Sequence, residues 1–343
     1  MTEITTELPV EAKSDTLSRG PRRVEATSPA LDTSIAVVIC IPCFRRPQHL
    51  RRTLQSLASQ RTGRRFAVVI VENDADGRES LAVAADIFQR QGLRGLCVVE
   101  PRQGNCQAIN AAFETALEMF PAAQHVLMID DDEIASPDWL QRMLHAAEAT
   151  RADVVGGPVW PNFDDGQSRD LRHHPAFRPA YDSSGPVPVI YGCGNCLIAR
   201  SVFARLGLPA FDLRFNFLGG GDTDFFVRCR EAGMRFHWVA EAVITETVPH
   251  GRTSPTWLAL RGLRIGAINY HVQRKLAGTA WSQGRLILKM LALLPLSLFR
   301  AIGLAWAERA TLVALHPVIV AAGGALAAIG IEPQPYKASK IRS

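Results

Sequence analysis

The chain alternates between unbroken apolar runs and stretches with apolar residues at helical spacing. Ile35 to Ile41 is continuously apolar, and Pro42 ends it. From Pro47 through about Gln60, Leu50, Leu54 and Leu57 recur on one helical face. Phe66 to Val71 is a second apolar run, closed by the polar stretch Glu72 to Gly77. A helix is predicted from about Glu79 to Gln91. Leu96 to Val99 predicts a third strand, and Cys106 to Glu118 a helix with Ile109, Phe113, Ala116 and Leu117 on one side. His125 to Ile129 reads as a fourth strand, and Asp138 to Ala149 as the next helix. Continuous apolar strands that alternate with helices predict a mainly parallel sheet with helices on both faces.

After Gly157 the pattern changes. Residues 158 to 188 are rich in Pro, Asp, Arg and His and predict a long irregular segment. Ile190 to Ile198 reads as a strand with a glycine interruption, and Asp222 to Ala232 as a helix stopped by Gly233. Phe236 to Val239 and Ala242 to Ile244 predict short strands. Beyond Pro255 the chain is helical, basic and apolar. Residues 1 to 33 sustain no apolar period and predict a disordered tail. The division expected is a tail over 1–33, an α/β domain over 34–255 and a helical region over 256–335.

The formal charge of +5 is unevenly placed. Between Gly251 and Arg309 the only acid is Glu308, among Arg252, Arg261, Arg264, Arg274, Lys275, Arg285, Lys289, Arg300 and Arg309. This asymmetry points to an anionic partner. The intervening Leu, Ile and Ala favour anionic membrane lipid over nucleic acid. Thr311 to Ile331 is 21 residues without a charge, interrupted by Pro317 and Gly323-Gly324. That length is close to the ~20 residues that span a bilayer. Leu286 to Ala307 carries Lys289, Pro295 and Arg300, which suits a helix lying in the interface. A soluble helical subdomain packed on the α/β domain is the alternative.

Seven cysteines and a polar N-terminus without an apolar h-region imply a reducing cytosol. The pairs Cys40/Cys43 and Cys193/Cys196 have the spacing of a zinc site. Cys40 lies inside an apolar run, however, and reads as a small buried hydrophobe.

The chemistry concentrates at Asp130-Asp131-Asp132-Glu133, directly after the fourth apolar run. Open α/β sheets bind ligands at the C-terminal ends of their strands. Carboxylates crowded there repel one another unless a cation neutralises them. Oxygen ligands suit a hard ion, Mg²⁺ or Mn²⁺. Such an ion in turn suits an anionic substrate, most often a diphosphate. A solvated acidic turn is the alternative.

The order of these motifs resembles the family 2 glycosyltransferases, which have the GT-A fold. The resemblance runs from about Ile35 to Trp257. It begins with Val38 to Pro47, similar to the family's first strand and following loop, which places Pro42 and Phe44 at the donor. Glu72 stands where the family has a uracil-facing Asp. Gly104-Asn105-Cys106-Gln107-Ala108-Ile109-Asn110 matches Gly-x-x-x-Ala-Arg-Asn, with Ile109 in place of Arg. Asp130-Asp131-Asp132 supplies Asp-x-Asp, and Pro137-Asp138-Trp139-Leu140 follows at the usual interval. Gly221-Asp222-Thr223-Asp224 resembles the Glu-Asp-x-Asp region, with Gly221 at the Glu position. Glu246-Thr247-Val248-Pro249 and Arg252 are similar to bacterial exopolysaccharide transferases of the succinoglycan-pathway type.

The resemblance implies an inverting transfer from a nucleotide-sugar, a UDP-sugar in expectation, to a lipid-linked or polysaccharide acceptor. It implies Asp132 as the direct metal ligand, with Asp130 facing the ribose or the metal's waters, and Asp222 as general base. Pro42, Phe44, Glu72, Gly104, Asn110, Asp130 and Asp131 are implied at the donor. Asp224 reads more simply as a helix cap. His250, Arg102 and Arg252 could face phosphate or solvent. The Gln-x-x-Arg-Trp motif of processive synthases is absent, so one sugar per event is expected. The expected location is the cytoplasmic face of the plasma membrane. A nucleotidyltransferase of related fold lacks support, since the loop after the first strand has no glycine. A catalytically inactive sugar-nucleotide-binding component of a membrane complex is the non-enzymatic alternative.

Overall fold

The computed structural model describes residues 21–163, 168–308 and 311–331. Its first half is the alternation expected: β2 (Val37–Cys43), α1 (Pro47–Ala58), β3 (Ala67–Glu72), α2 (Glu79–Arg90), β4 (Gly95–Val99), α3 (Asn105–Met119), β5 (His125–Met128) and α4 (Trp139–Thr150). Strands β4, β3, β2 and β5 lie side by side and parallel.

Alternate residues of each strand enter opposite cores. Ile39, Ile41, Val68, Ile70 and Leu127 pack with Leu50, Leu54, Ile87 and Trp139 of α1, α2 and α4. Val38, Cys40, Val69, Val71 and Val126 pack with Ile109, Phe113 and Ala116 of α3 on the other face. This two-sided burial explains the unbroken apolar runs. Each fully buried Val or Ile contributes roughly 1.5–3 kcal/mol.

The second half extends the sheet with mixed strand directions. β7 (Val154–Gly156), β9 (Gly185–Val187), β10 (Cys196–Ala199) and β11 (Phe236–Trp238) continue it beyond β5. β10 is antiparallel to both β5 and β7. β6 (Glu133–Ala135), β8 (Val159–Phe163) and β12 (Ile244–Val248) form a separate small sheet. Part of the segment expected to be irregular over 158–188 is therefore ordered as β8 and β9. The strand expected over Ile190 to Ile198 is confined to β10, which extends one residue further to Ala199. Helices α5 (Arg200–Leu206) and α6 (Gly221–Glu231) cover this half.

The tail expected over 1–33 is corrected in part. Residues 1–20 lie outside the described residues, but β1 (Arg23–Thr27) pairs antiparallel with β4. Arg22 pairs with Glu114 and Glu118 of α3 at 2.9 and 3.1 Å. The strand is an edge with little side-chain burial, so its order comes from backbone pairing and leaves no apolar period to read.

The boundary expected at 255 does not separate two cores. Ala267, Ile268, Tyr270 and Val272 of α7 (Pro255–Leu276) belong to the same core as α3 and α6. Lys275 of α7 bonds Asp224 of α6 and Asp212 at 2.8 Å each. α8 (Ala280–Glu308) and α9 (Thr311–Ala328) follow. The uncharged stretch 311–331 forms α9, which packs closely on α7. A Cβ at Gly262 would meet Ile319 at 2.9 Å, and one at Gly323 would strike the Leu263 backbone. The glycines let two helix backbones approach, so α9 is a packing partner of α7. The part of the expected helical region beyond 331 lies outside the described residues.

Candidate active site

The acidic turn stands where the large sheet hands the chain to the small one. β5 ends at Met128, and β6 starts at Glu133 in the other sheet. The backbone of Asp130 to Asp132 is thus fixed from both sides. Thr53 of α1 donates its hydroxyl to Asp131 O at 2.9 Å and Glu133 O at 2.7 Å. Thr247 N–H of β12 donates to Asp132 O at 3.1 Å. Asp130 N–H donates to Glu133 Oε2 at 2.7 Å.

Asp131, Asp132 and Glu133 are buried, with Glu246 of β12 beside them. Burial, then repulsion from Asp132 and Asp131, holds the Asp130 carboxyl well above the usual range. Burial and Asp130 do the same to Glu133. Two guanidinium groups offset this surplus. Arg46 Nη1 donates to Asp131 Oδ1 at 3.2 Å and Asp132 Oδ2 at 2.5 Å. Arg252 Nη1 donates to Glu246 Oε1 at 2.7 Å and lies 3.9 Å from Asp132 Oδ2. Sequence reasoning left Arg252 undecided and missed Arg46 and Glu246. A basic residue opening a helix and a lone acid in a late strand carry no local signal of where they meet.

The other expected donor residues divide. Pro42 lies within β2, one residue before its end at Cys43, and Phe44 N–H donates to Asp131 Oδ2 at 3.3 Å. The Phe44 ring is exposed beside that turn. Glu72 and Asn110 make their hydrogen bonds within the protein. Glu72 is 1% exposed, and its oxygens accept Asp74 N–H, Ser80 N–H and the Ser80 hydroxyl at 2.8, 3.0 and 2.6 Å. It ties the end of β3 to the start of α2. Asn110 exchanges two hydrogen bonds with the Phe211 backbone, at 2.8 and 2.7 Å. It positions the loop that leads to α6. Gly104 has φ +133°, and a Cβ there would overlap the Asn216 side chain. Asn216 in turn bonds Gln103 O and Gln107 N–H at 3.0 and 3.1 Å. Gly104 therefore brings the α3 N-terminus against the same loop.

Asp222 occupies the first turn of α6, after Gly219 and Gly220 at φ +83° and +89°. Two successive left-handed residues turn the chain sharply into the helix. Gly221 replaces the family's Glu for a packing reason. A Cβ there would meet Cys106 Sγ at 2.7 Å and Phe211 at 2.8 Å. Burial raises the Asp222 carboxyl above the usual range, while the Thr223 N–H and Arg264 pull it down. Asp224 is 1% exposed and bonded to Arg228 and Lys275, both at 2.8 Å. It is a structural anchor on the same turn.

Asp222 and Asp130 both act on one segment. Both push the buried thiols of Cys193 and Cys196 up, after burial itself. The turn before β10 is therefore close enough to the acidic cluster and to Asp222 to feel both charges. All seven cysteines are free and buried, as expected of small hydrophobes.

Residues 38–207 match Glycosyl transferase family 2, and residues 125–325 match Glycosyl transferase family group 2. The chain is 32% identical over 238 residues to the succinoglycan biosynthesis protein ExoM of Rhizobium meliloti (strain 1021), covering 68% of this chain and 74% of that one. The chain belongs to glycosyl transferase family 2. It is a glycosyltransferase, which sets aside the nucleotidyltransferase and inactive-component alternatives. Its α/β fold is of the GT-A kind. The mannosyltransferase PcManGT of Pyrobaculum calidifontis, in complex with GDP-Man and Mn²⁺, superposes with a TM-score of 0.56 at 18% identity, over 89% of this chain and 90% of that one. S. aureus TarS 1–349 in complex with UDP gives 0.50 at 12% identity, over 86% and 90%.

Among the described residues, no three His, Cys, Asp or Glu side chains converge on a metal site. The donor chemistry nonetheless fits a hard cation. The Asp132 charge raises the proton affinity of Asp130 and of Glu246, after burial itself, and positive charge relieves that. A cation that takes one or two protein oxygens needs its remaining ligands from the substrate, as Mg²⁺ commonly does with phosphates.

Proposed function

We propose that this enzyme adds one sugar per event, with inversion, from a nucleotide-sugar to a lipid-linked or polysaccharide acceptor in exopolysaccharide synthesis. The observation that carries this is the separation of a buried carboxylate cluster at Asp130–Glu133, opposed by Arg46 and Arg252, from Asp222 at the start of α6. A donor's diphosphate and an acceptor's hydroxyl need such a division: positive charge on one side, a base on the other.

Asp132 would hold Mg²⁺ or Mn²⁺, with Asp130 beside it at the ribose or the ion's waters. When bound, the ion neutralises the charge that develops on the leaving diphosphate. Arg252 adds a fixed positive group at the same edge. Asp131 holds the loop of Pro42 and Phe44, which borders the nucleotide. Asp222 accepts the acceptor hydroxyl's proton as that oxygen attacks the anomeric carbon. Attack from the face opposite the diphosphate inverts the centre. A UDP-sugar is the donor expected. The binding of UDP by TarS and of GDP-Man and Mn²⁺ by PcManGT supports a nucleotide-sugar with metal. The test is a panel of nucleotide-sugars assayed for metal-dependent hydrolysis or transfer. One or a few should be turned over with Mg²⁺ or Mn²⁺ and none in chelator. Full turnover in chelator would overturn the metal reading.

The same proposal places the enzyme on the cytoplasmic face of the membrane. Ala280–Gly303 of α8, with a mean hydropathy of 1.8, is long and apolar enough to cross a membrane by length and composition. Its surface is poorly covered: Trp281 is 71% exposed and Phe299 81%. Arg285, Lys289 and Arg300 lie along the same helix. Basic groups near an anionic leaflet contribute about 1 kcal/mol each, and salt screens them. Buried apolar side chains add a term that salt does not weaken. High salt should therefore loosen the protein from membranes without full release. Fractionation with and without added salt checks this, and full-length protein wholly soluble at low salt would remove the membrane assignment.

A further inference from the structure

Arg46 has no role in the chemistry above, yet it sits on the central oxygen. Its Nη1 is 2.5 Å from Asp132 Oδ2, the atom given to the cation. The same nitrogen also reaches Asp131 Oδ1 at 3.2 Å. The two carboxylates differ in their other supports. Asp131 also accepts the Phe44 N–H at 3.3 Å. The Asp132 carboxylate is paired with Arg46 at 2.5 Å and lies 3.9 Å from Arg252. The Arg46 backbone is fixed, since its carbonyl accepts the Leu50 N–H at 3.0 Å and Pro47 follows. Its side chain is 38% exposed and reaches the carboxylates from the rim.

We propose that Arg46 is a positioning residue that exchanges partners. In the free enzyme it neutralises Asp132. When a divalent cation takes that oxygen, Arg46 moves onto the donor's diphosphate. The inference rests on the metal and donor reading of the preceding section.

The physical reason is mutual exclusion. A hard cation binds a carboxylate oxygen at about 2.1 Å. A guanidinium nitrogen in hydrogen-bond contact with the same oxygen would set like charges against each other in a partly buried site. One of them must leave. Arg46 can leave at small cost because Asp131 stays held by Phe44 N–H. The planar fork of donors that fits a carboxylate also fits a phosphate. The exchange keeps the acidic cluster compensated before the donor arrives, and it delivers a positive group to the leaving diphosphate afterwards.

The consequence is a pair of effects with opposite signs. Arg46→Gln removes the competitor, so Mn²⁺ alone should bind about tenfold more tightly, the scale of one charge-assisted hydrogen bond. The same variant loses a phosphate partner, so nucleoside diphosphate in saturating Mn²⁺ should bind about tenfold more weakly. A residue that merely supports the loop would weaken both. The experiment titrates full-length wild type, Arg46→Gln and Arg46→Lys with Mn²⁺ alone, then with UDP and with GDP in saturating Mn²⁺. Circular dichroism checks each fold. Arg46→Lys keeps the charge without the fork and should show the same signs with smaller amplitude. It carries the comparison should Arg46→Gln not fold. Unchanged or weaker Mn²⁺ binding in a folded variant, beside normal binding in wild type, overturns the exchange and leaves the metal reading standing. Absence of Mn²⁺ binding in all proteins, with and without nucleotide, overturns both.

Discussion

Asp222→Asn is expected to lower sugar transfer by about 10²–10⁴-fold, the usual cost of removing a general base. Donor affinity should stay near that of wild type. The asymmetry follows from the architecture. Asp222 lies on the first turn of α6, outside the Asp130–Glu133 cluster. Asn keeps the volume and can still accept the Thr223 N–H, which Asp222 Oδ1 receives at 2.8 Å. The turn itself is set by Gly219 and Gly220 and by Asp224, so the fold should persist. Kinetics and a nucleotide-sugar titration on the same preparation check both parts. Collapse of donor affinity would assign Asp222 to the donor side and send the base elsewhere. A pH profile adds a second readout. Burial raises the Asp222 carboxyl, and only its deprotonated form accepts a proton. Activity should therefore rise with pH along an acid limb lying above the ordinary aspartate range, and Asp222→Asn should lose that limb.

Asp132→Asn is expected to cost transfer about a hundredfold or more, since one lost electrostatic contact at a transition state costs ~3 kcal/mol. Here the loss should fall on metal dependence as well as on rate. Asn retains the shape but not the charge that binds a cation. The main-chain bond from Thr247 N–H to Asp132 O at 3.1 Å does not depend on the side chain. Arg46 keeps Asp131 as a partner, so the loop has no reason to unfold. Activity at increasing Mn²⁺ should need more metal to reach a lower plateau. Near-normal activity in folded Asp132→Asn would remove it from the metal site.

Much of the α/β half was legible because its signals are local. An apolar run buried on two faces cannot be solvent-exposed loop. Leu50, Leu54 and Leu57 at helical spacing face one core wherever the helix is placed. What escaped was structure without a side-chain period. β1 is an edge strand ordered by backbone pairing with β4, and β8 mixes exposed and buried positions around Pro161. The helical region stayed open for a different reason. An uncharged Ala- and Gly-rich stretch has the composition of a membrane span. It also has the composition of a helix pressed against another, as α9 is against α7.

The site divides in the same way. Asp130, Asp132 and Asp222 stand at a strand's end and a helix's start, positions that follow from chain order alone. Their neighbours do not. Asn110 meets Phe211 across 101 residues, Lys275 meets Asp224 across 51, and Arg46 meets Asp131 across 85. A matching motif implies Glu72 and Asn110 at the donor; the folded chain adds the bonds they make to Asp74, Ser80 and Phe211. The sequence by itself determined the alternation of strands and helices and the points where carboxylates emerge, because periodicity and chain breaks act within a few residues. Only the tertiary structure decided which carboxylates are buried together and which cations oppose them. Those outcomes depend on hydrogen bonds between segments that no local window contains.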